Sequence, residues 1–130
     1  MEQLELIRAI ADGSVPWLRS RIAQGDDVDK EYEPLRHTPL MTACHVGHRG
    51  CAQALIDANA ALDKVNSDGM TASMIDCSLG HHECAQALID ANAALDKVDI
   101  LGGTALMHAC DFGHHECAQA LMDAGAALDK

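Results

Sequence analysis

Leu40, Ala43, Cys44 and Gly47 fall at i, i+3, i+4 and i+7, the spacing that lines small and apolar residues along one stripe of a short helix. Thr38 and Pro39 precede the stripe and Gly47-His48 turns the chain after it. Thr accepts from the first free backbone N–H groups of a helix, and Pro at the first helical position gives up a donor the helix has no use for. A second helix is predicted from about Arg49 to Ala58, with Cys51 and Leu55 on one line and Ala52 and Ile56 on the next. Asn59 then stands where a helix stop needs a residue that tolerates a left-handed backbone. The linker that follows, residues 60–70, carries Asp68-Gly69 as its turn signal.

This pattern recurs. Thr38, Thr71 and Thr104 repeat at one constant interval, thirty-three places each time, and Asn59 has its counterparts in Asn92 and Gly125. A period of roughly 20–50 residues marks a stacked-repeat protein, in which each unit buries its apolar face only against its neighbours. At the N-terminus, Leu4, Ile7 and Ile10 predict a helix over residues 2–12 that ends at Gly13, and Pro16 opens another carrying Trp17, Leu18 and Ile22. Shifting this segment by 34 places puts Gly13 under Gly47, Ile22 under Ile56, Asp29 under Asp63 and Lys30 under Lys64. It reads as a degenerate first repeat whose Arg8, Arg19 and Arg21 suit a capping unit with one face in water. The 130 residues are therefore expected to form one domain: a capping repeat over 1–30, then repeats over 31–64, 65–97 and 98–130.

The run Thr38-Pro39-Leu40-Met41-Thr42-Ala43-Cys44, followed by Gly47-His48, a longer second helix and Asn59-Ala60, resembles the ankyrin repeat, whose pattern runs TPLHxA, GH, LL and GA. Residues 99–106, Asp-Ile-Leu-Gly-Gly-Thr-Ala-Leu, resemble the DxxGxTPL opening of that family. Met41, Met74 and Met107 depart from it where His is usual, and Ala72 and Ala105 replace the Pro. The resemblance implies an all-α solenoid of stacked helix-turn-helix units joined by β-turn or hairpin loops. It also implies a non-enzymatic module that binds a protein or peptide on a concave face formed by turns and first helices.

Repeats within one chain can be compared directly. Between 80–97 and 113–130, every place is identical except Ile89/Met122 and Asn92/Gly125; between 66–79 and 99–112, only five of 14 places match. The second helix is scaffold, and the differences sit in the turn and first helix. Carried over by position, the concave face includes His37, Thr42, His45 and Val46 from one unit and Ser67, Asp68, Met70, Ile75, Ser78 and Leu79 from the next. The last unit supplies Ile100, Leu101, His108, Asp111 and Phe112. Val46, Leu79 and Phe112 are equivalent and apolar where solvent is expected, and apolar groups in a row on a surface mark an interaction site more often than scattered ones do.

Charge narrows the partner. With 9 basic against 20 acidic residues, the formal charge is −11, which opposes a phosphate backbone and favours a neutral or basic protein. No apolar run approaches the roughly 18 residues of a membrane span, and Met1-Glu2-Gln3 lacks the basic and apolar regions of a secretory signal. The expected setting is the cytoplasm or the nucleus.

The apolar fraction is 48% with one Trp, one Tyr and one Phe, so small residues and thiols must fill the core. The six Cys fall two per repeat, at 44 and 51, 77 and 84, 110 and 117. That regularity reads as a small buried hydrophobe copied three times. Two alternatives stand beside it: a disulfide between the paired helices of one unit, and a metal set with the spacing of Cys44, His48 and Cys51. Zinc needs about four ligands, so each unit would require another from a neighbour; no cofactor, metal or catalytic residue is assigned. His81-His82-Glu83 and its copy His114-His115-Glu116 open second helices, where Glu complements the helix dipole.

Two features stand out. The inward stripe of the middle unit reads Ser73, Asp76, Cys77 and Gly80, putting a carboxylate where its neighbours have Ala43 and Ala109; a nearby donor is expected to satisfy it, ahead of a functional acid at the groove floor or an engineered change. The last unit, ending in phase at Lys130, lacks a polar cap, and Leu106, Cys110 and Leu121 are expected to leave apolar surface bare. A structural or assembly unit that stacks end to end through that surface is accordingly an alternative to a binding module.

Overall fold

The computed structural model describes residues 3–126. Glu2 of the expected first helix, the side chain of Leu4 and the terminal Lys130 lie outside the described residues. Eight helices run α1 (Gln3–Ala11), α2 (Val15–Ala23), α3 (Pro39–Val46), α4 (Arg49–Asp57), α5 (Ala72–Leu79), α6 (His82–Asp90), α7 (Ala105–Asp111) and α8 (His115–Asp123). They form two layers: α1, α3, α5 and α7 pack in sequence, α2, α4, α6 and α8 likewise, and each odd helix packs on the even helix after it. The chain is an all-α solenoid of helix-turn-helix units, with an isolated antiparallel bridge between Tyr32 and His37 in the first long connection.

Each unit is punctuated as its residues dictate. Thr38, Thr71 and Thr104 accept from the backbone N–H of Met41, Met74 and Met107 at 3.2, 3.3 and 3.2 Å, satisfying a donor that the first helical turn leaves free. Met41 completes the exchange, because its sulfur accepts from the Thr38 N–H at 3.5 Å; the thioether thus takes the part a polar side chain plays in a capping box. Asn59 and Asn92 hold φ of 65° and 67° after the second helices, the left-handed stop for which Asn is suited.

Neighbouring units interlock through histidine. The His81 ring lies over Gly47 and bonds the His45 carbonyl at 3.2 Å, and the His114 ring lies over Gly80 and bonds the Ser78 carbonyl at 3.0 Å. His48 covers Gly13 in the same way. A second link repeats lower down: Asp29 accepts from the Ala61 N–H at 2.8 Å and Asp63 from the Ala94 N–H at 2.9 Å. The shared bond puts Asp29 in the role of Asp63, in agreement with the shift that aligns the first unit with the second.

The core is built from Leu, Ile, Met, Ala and Cys. One buried cluster joins Leu6, Ile10 and Leu18 to Leu40, Cys44, Cys51, Leu55 and Leu88; a second joins Met74, Cys77, Leu106, Cys117 and Leu121. Leu106 and Leu121 are therefore not bare, correcting the expectation from sequence: α7 and α8 pack on each other and on the unit before them, and that is enough to cover both. The uncovered positions are Cys110, which is exposed, and Met107, half-buried, whereas Cys44, Cys77, Met41 and Met74 at the equivalent places are at most 1% exposed.

The expected donor for Asp76 is also missing. The residue is fully buried, and neither carboxylate oxygen meets a hydrogen-bond partner. Burial, then the nearby Cys84 thiol, pushes its pKa up to about 9, with the Cys44 thiol pulling the other way. The group is consequently an uncharged carboxylic acid at neutral pH.

Candidate partner-binding surface

The Thr caps and the left-handed glycines fix where each first helix starts and stops, and with that which residues face outward. Positions four, seven and eight after the capping Thr share one helix face. They are Thr42, His45 and Val46 on α3, Ile75, Ser78 and Leu79 on α5, and His108 and Asp111 on α7 with Phe112 as its C-cap. At the last position Val46 is 40%, Leu79 44% and Phe112 61% exposed, so the row of large apolar side chains stands in solvent along the stack. His45 and Asp111 are exposed as well, and Thr42, Ser78 and His108 are half-buried.

Ile75 does not belong with them. It is 5% exposed and packs in the first core cluster, which corrects its placement on the concave face. Thr42 and His108 at the equivalent position are only half-buried; an apolar branched side chain on this margin turns inward where a polar one turns out.

The turns form the other side of the surface. The Asn66 side-chain carbonyl accepts from the Asp68 and Met70 N–H groups at 2.9 and 3.0 Å, while its amide reaches the His37 ring at 3.2 Å. Asp99 does the same one repeat on. It accepts from the Leu101 and Gly103 N–H groups at 2.9 and 2.8 Å and holds the His108 ring at 2.8 Å. Despite its burial, those bonds keep the Asp99 carboxyl below the usual range. Burial lowers the His37 pKa, with His45 nearby adding to the effect and Asp68 opposing it.

Successive turn tips are tied by backbone bonds, Ser67 N–H to Leu35 carbonyl at 2.9 Å and Ile100 N–H to Asp68 carbonyl at 3.2 Å. Ile100 and Leu101 at the last tip are 70% and 90% exposed, and Ser67 and Asp68 are also exposed. Met70 and His37 are half-buried at the foot of the turns. Sequence reasoning passed over Leu35, which is 47% exposed. It occupies the place that Asp68 and Leu101 hold one and two repeats further on, so the period alone identifies it.

The thiols and rings do not gather as their spacing along the chain implies. His48 Nδ1 accepts the Cys51 N–H at 3.2 Å, and the Cys44 thiol interacts with Cys84 of the next unit. All six cysteines are free thiols, which corrects the disulfide alternative between the paired helices of one unit. Among the described residues, no three His, Cys, Asp or Glu side chains are placed to hold a metal ion.

No helix among the described residues is long and apolar enough to cross a membrane. A family model described as ankyrin repeats (3 copies) matches residues 6–99 and, overlapping them, 58–130. No curated protein matches the chain.

Proposed function

Since the chain belongs to the ankyrin-repeat family, whose repeats are generally protein–protein interaction modules, we propose that it binds a protein or peptide on the face made by its turns and first helices. The observation that carries this reading is the exposed row Val46, Leu79 and Phe112, large apolar groups held in solvent at the one helix position where all three full repeats are apolar and outward. Exposed apolar residues in a contiguous row supply the desolvated centre of an interface. The turn tips Leu35, Ile100 and Leu101, the thioether Met70 and the polar His37, Thr42, His45, Ser67, Asp68, Ser78, His108 and Asp111 supply its rim. The charge of −11 selects a neutral or basic partner over nucleic acid or an anionic membrane surface. We assign the domain no catalytic role, and its free thiols suit a reducing cytoplasmic or nuclear setting.

Peptides selected from a random display library against the intact chain provide the test. Their affinity should fall at least about tenfold for a Leu79→Asp, Phe112→Asp double variant, since loss of a central apolar anchor costs more than about 1 kcal/mol. A Gln86→Asp, Gln119→Asp variant on the constant second helices should leave it unchanged. Equal affinity in all three proteins rejects the assignment. A second reading, self-association through the last repeat, is favoured by the exposure of Cys110 and the half-exposure of Met107. It makes no use of Leu79, so an oligomer that survives the Leu79→Asp, Phe112→Asp change while no peptide binds would select it.

A further inference from the structure

The turn tips form a second row beside the apolar row of the first helices, and its middle member is charged. Leu35, Asp68 and Leu101 are equivalent by the repeat interval, and the backbone treats them alike. The Leu35 carbonyl accepts from the Ser67 N–H at 2.9 Å, and one repeat on in both partners the Asp68 carbonyl accepts from the Ile100 N–H at 3.2 Å. The same place on successive tips thus reads apolar, acidic, apolar. Leu35 is 47% and Leu101 90% exposed, and Asp68 is exposed between them.

The Asp68 side chain is not spent on the fold. Its turn is held by the Asn66 side chain, which accepts from the Asp68 and Met70 N–H groups, and the link to the next tip uses the Asp68 main-chain carbonyl. The carboxylate enters no ion pair among the described residues. Arg36, beside Leu35 at the first tip, is paired with Glu31 at 3.2 Å, which also takes Lys64 at 3.4 Å. An exposed carboxylate between two apolar side chains, already fixed by its own turn, is complementary to a cation carried between two apolar groups.

The stacking interval sets how far apart those groups must lie. Helices packed side by side stand about 8–10 Å apart, and α3, α5 and α7 pack in sequence, so equivalent tips repeat at about that distance. A polyproline II segment rises about 3.1 Å per residue with three residues per turn, which returns a side chain to the same side every ~9 Å. A β-strand has no such match: side chains two apart share a face at only about 7 Å, and those three apart face opposite ways. An α-helix fits at every seventh residue, but a helix of about fifteen residues must first be ordered, a cost that the polyproline II conformer, already populated in free chains, largely avoids.

We infer that the tip row takes a polyproline II segment of the pattern apolar-x-x-basic-x-x-apolar, with its cation on Asp68 and its apolar side chains on Leu35 and Leu101. The inference rests on the proposed binding face and names the chemistry of its partner. The pattern reads the same in both directions, so the row fixes spacing and charge and leaves the direction of the bound chain open.

Fluorescence anisotropy with labelled peptides tests it: Leu-Pro-Ser-Arg-Pro-Ser-Leu, its isomer Arg-Pro-Ser-Leu-Pro-Ser-Leu, and a form of the first with Glu in place of Arg. The isomer has the same composition, so attraction to the net charge of −11 cancels between the two. The Arg-centred peptide should bind at least about fivefold more tightly than the isomer, which loses the ion pair and misplaces an anchor. Asp68→Lys keeps every main-chain bond of the turn and should reverse the preference between the Arg-centred and Glu-centred peptides. Asp90→Lys on α6, the same change of charge elsewhere, should leave that preference as it was. Equal affinity of the isomers, a preference that Asp68→Lys leaves unaltered, or tighter binding by a helical peptide with the same three groups seven residues apart overturns the inference. If none of these peptides binds while library-selected ones bind and are lost in the Leu79→Asp, Phe112→Asp double variant, the chemistry assigned to the tips is wrong and the binding face stands. If the library-selected peptides are indifferent to the double variant as well, both fall.

Discussion

Replacing Asp76 with alanine makes the protein more stable, by about 2–4 kcal/mol at pH 7, a rise in melting temperature of roughly 10 °C for a chain of this size. The equivalent residues Ala43 and Ala109 are fully buried, so the fold already closes around alanine at this place and little cavity is expected. The gain comes from removing a carboxyl group that has no partner and must keep its proton to stay inside. Because its pKa is pushed from 3.8 to about 9, the native state holds a proton that the unfolded chain releases above about pH 4. The stability this group permits is therefore complete below the unfolded value, and falls by about 1.4 kcal/mol per pH unit up to the folded value. Chemical denaturation between pH 4 and 9 should show that decline in the natural sequence and its absence in Asp76→Ala. An unchanged or lower melting temperature in the variant contradicts the account of Asp76 as a buried, unsatisfied acid.

The second large effect is of opposite sign. Gly47→Ala should destabilise the fold by about 2–4 kcal/mol: about 1–2 for an alanine held at positive φ and about 1 or more for the histidine contact it breaks. Gly47 has φ 76°, and a Cβ there would lie 2.5 Å from His81 Nδ1, forcing the ring off the His45 carbonyl it bonds. Gly113, at the equivalent position in the last unit, has φ 74° and nothing within 4 Å of a Cβ. Gly113→Ala should then cost only the conformational part, and the difference between the two urea midpoints measures the interlock between units. Equal losses would show that the His81 ring contributes nothing to stacking.

Most of the fold was readable in the chain because the sequence states it three times. The Thr caps, the glycine after each first helix and the Asn stops recur in phase, and each marks a local backbone requirement that needs no tertiary context. Comparing the copies also separated the scaffold helix from the varied face and placed Val46, Leu79 and Phe112 outside. What was not legible depends on contacts between units. Ile75 varies between copies like a surface residue, yet it sits on the margin of the face, where an apolar side chain folds inward. The Cys44–Cys84 contact links the first helix of one unit to the second helix of the next. Along the chain the nearer Cys51 masks it, and only the register of stacking reveals it. Leu106 and Leu121 show the same limit, since their cover comes from packing within and behind the last unit.

Binding on the varied face is the claim on which the functional account rests, and amide hydrogen exchange of the chain with and without a selected peptide tests it most directly. The account predicts added protection on residues 42–46, 67–70, 78–79 and 100–112, with α4, α6 and α8 unaltered. Protection confined to those second helices, or to the end of the last repeat around Cys110 alone, would contradict it.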